Sequence, residues 1–430
     1  MSFPKKPKNK KVVYFDHAAT TYVVPEVTKE MQLYFSDFYA NPSGLYAIGR
    51  EVNGALENSR RIVAQTLHTL PDTIFFTGGG TESDNMAILG IARKHEKNGK
   101  HIITTKIEHH AVLNPCEYLE KHGFEITYLT PDEFGFVSPK QIKEALRLDT
   151  ILVSVMYANN EIGTVEPLAN IGREILKWRK EKNTKYPYFH SDACQAAGAF
   201  VLDVEKLHVD LMTINASKIY GPKGVGILFK RREIAIEPII FGGGQERGLR
   251  SGTENVPGIV GFAKALEMAQ ENREVENNRL IELRNYFWER LEKEIPKVKL
   301  NGPRLHPSGY VGQAGIDNLD RLPNNLNVSI LDIEGEALLL YLDEYGIVCS
   351  TGSACTSESL DPSHVLLAIG LPYEYAHGSL RFTLGKKNTK EDVDYTMKYL
   401  PEIVNILRKI SPVNLQIDTK KNTHPKYHQR

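Results

Sequence analysis

The 430-residue chain is 41% hydrophobic and 25% charged, the balance of a folded globular protein, which excludes an intrinsically disordered chain. Lys plus Arg and Asp plus Glu number 53 each, so no net charge draws it to nucleic acid, and no uninterrupted apolar run approaches a membrane span. The four cysteines (Cys116, Cys194, Cys349 and Cys355) show no Cys-x-x-Cys spacing, which argues against structural zinc and fits a reducing cytoplasm, and no signal-peptide apolar segment follows the basic N-terminus.

The length favours two domains. Short strands are expected at 73–77, 101–105, 125–129 and 150–156, with apolar-periodic helices over 86–97, 112–122 and 171–182 between them. That alternation implies βαβ crossovers and a mainly parallel sheet with helices on both faces, whose ligands gather at the carboxyl ends of the strands. A short strand through Phe189 ends at Asp192. Leu211 to Ile214 and Val225 to Phe229 form two more, and Gly221, Pro222 and Gly224 force a sharp turn between them. After Gly242-Gly-Gly and a loop to Asn255, a helical stretch from Ile259 to about Glu294 bridges to the second domain. That domain is expected to hold strands at 326–331 and 379–384 and a helix over 336–343. The segment 303–323, rich in Gly, Pro and Asp, reads as a loop. Thr389-x-x-Asp392 has the form of a capping box ahead of an apolar face made by Val393, Met397, Leu400, Val404 and Leu407. The boundaries expected are a large domain over 25–265, a small one from 1–24 with 266–413, and a polar tail over 414–430.

Lys218 carries the most information. It follows an apolar strand and precedes a glycine-rich turn (Lys218-Ile-Tyr-Gly-Pro-Lys-Gly224), so rigid backbone holds it. A buried, positioned lysine loses its proton readily and forms a Schiff base with a carbonyl. Asp192 offers a carboxylate for a pyridinium nitrogen, and the two together are what a pyridoxal phosphate site requires. Thr77-Gly-Gly-Gly-Thr81 is suited to cradle a phosphate through backbone amides, a helix N-terminus and the Thr81 hydroxyl. A capped strand-to-helix turn explains those residues equally well, and the spacing matches neither a Walker A nor a G-x-G-x-x-G pattern.

His109 suits stacking on a planar cofactor and proton relay, or is a packed histidine beside His110. Asn159-Asn160 ahead of Gly163 either hydrogen-bonds a ring substituent or serves a turn. Gln195 poses the same choice, a ring phenolic oxygen being its functional partner. Arg381 lies in a strand that otherwise reads as buried. Its guanidinium fork fits a substrate carboxylate, with an internal Asp or Glu as the alternative. Arg250-Ser-Gly-Thr253 sits in a glycine-rich loop where it is able to meet an anion. Cys355 stands in Ser350-Thr-Gly-Ser-Ala-Cys-Thr-Ser-Glu-Ser359, small polar residues that cannot pack a core, so an exposed, movable and reactive thiol is expected. Cys349 and Cys116 read as core, and Cys194 as a neighbour of Asp192.

Taken in this order, the chain resembles the cysteine desulfurases, pyridoxal phosphate enzymes of the α/β type I (aspartate aminotransferase-like) fold, a large domain with a mainly parallel sheet plus a smaller α/β domain. The resemblance runs from Tyr14-Phe-Asp-His-Ala-Ala-Thr-Thr21 to the final helix. Thr81-Glu-Ser-Asp-Asn85, Asn159-Asn-Glu-Ile-Gly163, the Lys218 motif, Arg250-Ser-Gly-Thr253 and Gly352-Ser-Ala-Cys-Thr-Ser357 carry it. It implies conversion of L-cysteine to L-alanine, with sulfur passing to Cys355 as a persulfide for iron–sulfur cluster assembly or tRNA thiolation. Lys218 would be the Schiff-base lysine and Asp192 the pyridinium partner. His109 would stack on the ring and Asn160 and Gln195 would bond it. Gly80, Thr81 and, from the other subunit of a homodimer, Thr253 would hold the phosphate. Arg381, Asn160 and Asn41 would bind the substrate.

Where the family usually has serine and histidine near the lysine, this chain has Asn215 and Ser217, the latter still able to donate one hydrogen bond. Tyr46 stands where Asn41-Pro-Ser is usually followed by histidine. The resemblance further implies no resident metal, although Cys355 would serve as a transient iron–sulfur ligand. An iron–sulfur scaffold or a sulfur carrier would be the protein partner, with no direct nucleic acid and no membrane. A selenocysteine lyase or an aminotransferase of the same fold shares the lysine and aspartate but does not need Cys355. A non-catalytic scaffold needs neither.

Overall fold

A computed structural model of the chain describes residues 3–7, 10–305, 319–351 and 362–411. Strand β1 (Val13–Tyr14) precedes helices α1 (Pro25–Ser36) and α2 (Ala47–Thr66). Strands and helices then alternate through β2 (Ile74–Thr77), α3 (Gly80–His95), β3 (His101–Thr105), α4 (His110–Glu120), β4 (Glu125–Leu129), α5 (Pro139–Ala145), β5 (Thr150–Ser154) and α6 (Leu168–Lys182). The series ends with β6 (Tyr188–Asp192), α7 (Val204–Leu207), β7 (Leu211–Asn215) and β8 (Gly226–Lys230). Two long helices follow, α8 (Val256–Glu271) and α9 (Arg273–Glu294), then β9 (Val298–Leu300), β10 (Asn325–Ile330), α10 (Gly335–Asp343) and β11 (Ile347–Val348). Last come α11 (His364–Ala368), α12 (Tyr373–His377), β12 (Ser379–Thr383) and α13 (Lys390–Ile410).

The central sheet has seven strands in the order β2-β8-β7-β6-β5-β3-β4. Its β3, β4, β5, β6 and β7 pair in parallel, while β8 runs antiparallel to both β7 and β2. Strands β5 and β6 are buried along their whole length, as expected of parallel strands covered on both faces. On one face, Val27 of α1, Leu56 and Val63 of α2, Ile171 of α6 and Phe262 of α8 share a core with Ile103, Val153 and Met212 of the sheet. On the other, Met86 and Ile91 of α3 and Val112 and Cys116 of α4 pack on Ile102, Leu152 and Leu228. A separate antiparallel sheet, β12-β10-β9, has its own core with α9, α10 and α13, to which Phe15 and Cys349 belong.

Every strand of the central sheet except β8 points one way, so the carboxyl ends of β2, β3, β5, β6 and β7 lie along one edge. That polarity brings Gly78–Gly80, His109, Asn160, Asp192 and Lys218 to the same side of the molecule.

Two sequence expectations need refining, and the capping box holds as expected. The expected helical stretch from Ile259 to Glu294 is two helices broken at Asn272, whose backbone (φ −96°, ψ 4°) leaves the helical region. Strand β5 stops at Ser154, two residues short of Met156, because the chain turns there to deliver Asn159 and Asn160. The capping residue Asp392 accepts the Thr389 backbone N–H at 3.2 Å. Cys355 and the polar tail lie outside the described residues.

The loop carrying Arg250 and Thr253 is tied to the sheet by a buried ion pair. Glu246 accepts from Arg60 Nη2 at 2.7 Å and from the Phe76 backbone N–H at 2.8 Å. Removing one partner of such a pair strands the other charge in the interior, which costs about 3–5 kcal/mol. Glu246→Ala is therefore expected to lose roughly 3 kcal/mol of stability, read from denaturant titration, whereas a change within 0.5 kcal/mol would show that the pair holds nothing together.

Candidate active site

The sheet edge opens into a cleft of 710 Å³. Gly80, Thr81, His109, Asn160, Asp192, Gln195, Asn215, Lys218 and Arg381 all line it. Ala18, Ala19, Asp84, Asn85 and Cys194 line it as well, although the sequence reading gave them no role there. Ser217, Asn41 and Thr253 do not; Asn41 and Thr253 are exposed elsewhere on the surface.

Lys218 ends a single 3₁₀ turn, Ala216–Lys218, that follows β7 directly, so the strand fixes where its side chain begins. The side chain is half-buried, and its Nζ donates to the Ala19 carbonyl at 2.6 Å. The adjoining Ala18 carbonyl accepts from Gln195 Nε2 at 3.0 Å, so the N-terminal segment lies against two of the expected site residues. Asp192, 7% exposed, is the last residue of β6, and its Oδ1 accepts the Cys194 backbone N–H at 2.9 Å.

The Gly78–Gly80 turn connects β2 to α3. Gly79 has φ +149°, a conformation side-chain-bearing residues rarely adopt, and a Cβ on Gly80 would lie 2.8 Å from Cys194 Sγ. Glycine at both positions lets the backbone amides at the start of α3 face the cleft beside Asn215. The anion that Arg250 meets is internal: its Nε donates to the Glu82 carboxylate, Oε1, at 2.8 Å.

His109 is the N-cap of α4. Its Nδ1 accepts the Ala111 N–H at 3.0 Å, which places the ring proton of the neutral form on Nε2. Burial lowers its pKa, with the Asp192 carboxylate pulling the other way, so the neutral ring is favoured.

Of the two neighbouring asparagines, Asn159 serves the turn. Its Oδ1 accepts from the Glu161 and Ile162 amides, both at 2.9 Å, and its Nδ2 donates to the Ile107 carbonyl at 2.9 Å. Asn160 is left facing the cleft. Arg381 has the internal carboxylate that was its alternative reading: Nη2 pairs with Asp16 at 2.8 Å, and Nη1 donates to the Asn160 carbonyl at 3.0 Å. Its Nε is buried with no partner among the described residues, and Arg381 itself lines the cleft. Asp16 could have been suspected from its place in Tyr14-Phe-Asp-His-Ala-Ala, where a carboxylate follows a phenylalanine of the apolar core.

Comparison with known proteins fits this arrangement. The pattern of the family described as aminotransferase class-V matches residues 13–396. The chain is 52% identical over 403 residues to a protein named cysteine desulfurase IscS from Clostridium botulinum (strain Hall), covering 94% of this chain and 97% of that one. A protein of the same name from Methanosarcina thermophila is 49% identical, with 94% of each covered. Among solved structures, a NifS-like protein superposes with a TM-score of 0.83 at 39% identity, over 92% of this chain and all of that one. One described as SspA in complex with cysteine gives 0.72 at 35% identity, over 87% of this chain and 99% of that one.

Beneath the cleft lies a layer of buried acids. Burial, reinforced by the charge of Asp192, pushes Asp84 well above the ordinary carboxyl range, and burial pushes Glu108 up to about 8. Glu108 Oε1 accepts from the Met156 amide and from Thr105 Oγ1, each at 2.9 Å, while Oε2 has no partner among the described residues. Burial also lowers His190, whose Nε2 lies 3.6 Å from Asp84 Oδ1, to about 4. A carboxyl raised on folding stabilises the protein fully below its unfolded pKa, about 4.3 for glutamate, and loses that contribution as pH rises through its folded value. His190 works in reverse: its contribution is full above about pH 6.5 and is lost as pH falls towards 4. Glu108→Gln removes one titrating group from the alkaline side. Its melting temperature is expected to fall less between about pH 5 and 8 than the parent's, and parallel curves would refute the assignment.

Proposed function

Because the chain belongs to the class-V aminotransferase family, we propose that it is a pyridoxal-phosphate-dependent cysteine desulfurase, which converts L-cysteine to L-alanine and retains the sulfur on Cys355. The observation that carries this reading is the meeting of Lys218 and Asp192 in one cleft with His109, Asn160 and Arg381. The cleft suits the cofactor: the glycine turn leaves room at the α3 N-terminus for a phosphate, and the Arg381 guanidinium, which lines the cleft, suits a substrate carboxylate.

Gly80, Thr81 and Asn215 would hold the phosphate, with Ser217 beside them and Thr253 reaching in from a second subunit. Asp192 would bond the pyridine nitrogen, Gln195 the ring oxygen, and His109 and Asn160 the ring itself. When bound, pyridoxal phosphate supplies an aldehyde that forms imines with amines and a ring that accepts the electron pair of the substrate Cα–H bond.

The remaining steps belong to the chain. Arg381, braced by Asp16, fixes the substrate carboxylate together with Asn160. The Lys218 amine takes the α-proton and returns it. The Cys355 thiolate forms an S–S bond to the substrate sulfur as the Cβ–S bond breaks. The electron pair stays with Cβ, which gains a proton and becomes the methyl group of alanine. L-Cysteine and a thiol thus become L-alanine and a persulfide with no further oxidant.

A second copy of the chain completes the site in this reading. Phe35 (59% exposed) near the end of α1, and Tyr39 (73%) and Leu45 (91%) in the loop that leads to α2, are large apolar side chains left in solvent, and such exposure in one short segment suits an interface. Large and small domains would divide near 25 and 265, with a polar tail beyond 413. An iron–sulfur scaffold or a sulfur carrier would receive the sulfur in the cytoplasm, with Cys355 a transient cluster ligand. No helix among the described residues is long and apolar enough to cross a membrane.

Two measurements test these assignments. Cys355→Ala is expected to keep the yellow cofactor band and to release sulfide only at background when given cysteine and a reductant; undiminished turnover refutes the thiol's role. Leu45→Glu combined with Phe35→Glu is expected to shift the protein from dimer to monomer in sedimentation and to weaken cofactor retention. A variant that stays dimeric removes this face as the interface.

A further inference from the structure

We propose that Ser363 and His364 are positioning residues for sulfur transfer, pinning the far end of the Cys355 segment to the neighbours of His109 and Asn160. The inference rests on Cys355 being the sulfur acceptor. Ser363 Oγ donates to the Glu161 carboxylate, and Glu161 directly follows Asn160. His364 Nε2 bonds the Glu108 carbonyl at 3.0 Å, and Glu108 directly precedes His109. Two consecutive residues thus reach the two cofactor-facing turns, one each.

The platform they hold is itself rigid. The Glu161 carbonyl accepts from Asn325 Nδ2 at 2.9 Å and Asn327 Nδ2 at 3.1 Å, both from β10, while Asn159 holds the Glu161 amide. Val365 and Leu366 of α11 pack with Ile107, Met156 and Ile162, apolar residues of the same two turns. The near end of the segment is fixed as well. The Ser350 amide donates to the Arg381 carbonyl at 3.1 Å, the Arg381 amide donates back at 2.6 Å, and Ser379 Oγ donates to the Thr351 carbonyl at 3.1 Å. Thr351 is therefore tied to the strand that carries Arg381, and Ser363 to the turn that carries Asn160.

A plain helix cap accounts for part of this, since Ser363 Oγ also accepts from the Val365 amide at 3.1 Å and the Leu366 amide at 3.2 Å. It does not account for the carboxylate. Glu161 is 4% exposed, and burying an acid is costly where an amide or a backbone carbonyl would serve the hydroxyl. Holding a reactive group at both ends raises its local concentration at its target and narrows its approach, which lowers the barrier without new contacts to the reacting atoms.

The test separates sulfur transfer from the step before it. Holoenzyme is given L-cysteine deuterated at Cα, and loss of the label to solvent is compared with formation of alanine. Ser363→Ala and, independently, His364→Ala are expected to wash out the label within about twofold of the parent rate while forming alanine about 10-fold more slowly. Ser363→Thr, which keeps the hydroxyl, is expected to restore alanine formation. Unchanged alanine formation in both alanine variants overturns the proposal, and so does an equal fall in washout and alanine, which marks a merely structural role. Alanine formation that persists in Cys355→Ala overturns the acceptor assignment instead, and is distinguishable because it requires no change at 363 or 364.

Discussion

The site depends on the common polarity of the strands. A parallel strand delivers its carboxyl end to the same edge as its neighbours, and each crossover helix returns the chain to begin again. Residues as far apart in sequence as Gly80 and Lys218 reach one cleft because β2 and β7 point the same way, with β8 reversed between them. Reversing any of the parallel strands would send its residue to the opposite edge. The antiparallel β8 costs nothing in this respect, since it carries none of the cleft residues.

Parallel strands cannot supply everything the cleft needs. The arginine of the cleft enters from outside the central sheet: Arg381 comes from β12, a strand of the small antiparallel sheet. Such a side chain is costly to bury unless it is neutralised. Asp16 meets that need, and the same N-terminal stretch places the Ala18 and Ala19 carbonyls on Gln195 and Lys218. One short segment thus braces the arginine, the lysine and the glutamine together. Its backbone enters the small sheet's neighbourhood as well, through the bridge between Asp16 and Thr383.

Much of this was legible in the sequence where local pattern and tertiary role agree. The strands β3 and β4 were bounded correctly because apolar runs flanked by polar turns leave little freedom. The helices over 25–66 were not anticipated. In α2, Gly49, Gly54 and several charged residues dilute the periodicity, and the buried stripe includes Ser59 and Arg60, which a hydrophobic pattern cannot count. Arg60 is inside only because Glu246, far along the chain, meets it there. Similarly, Asn159 and Asn160 look alike in sequence, and only the closed turn shows that the first is consumed by backbone amides while the second is free to face the cleft. The break at Asn272 was hidden because the residues on both sides favour helix equally.

The buried acids show how far the fold goes to shape this edge. Asp84, Glu108, Glu161 and Glu166 all have raised pKa values through burial, and each lies within or next to a turn that feeds the cleft or supports one that does. Hydrophobic residues would stabilise the interior more cheaply. A carboxyl, unlike a leucine, accepts backbone amides at chosen points: Glu108 holds the Met156 amide, Glu166 the Val137 amide, and Glu246 the Phe76 amide. Each such bond fixes a loop that has no ladder of its own, so stability lost to desolvation is exchanged for turns of defined shape. The sequence of those turns is polar and glycine-rich, and would otherwise specify little. On this view the acids do for the loops what strand pairing does for the sheet, and the cleft is ordered from beneath as much as by the residues that face into it.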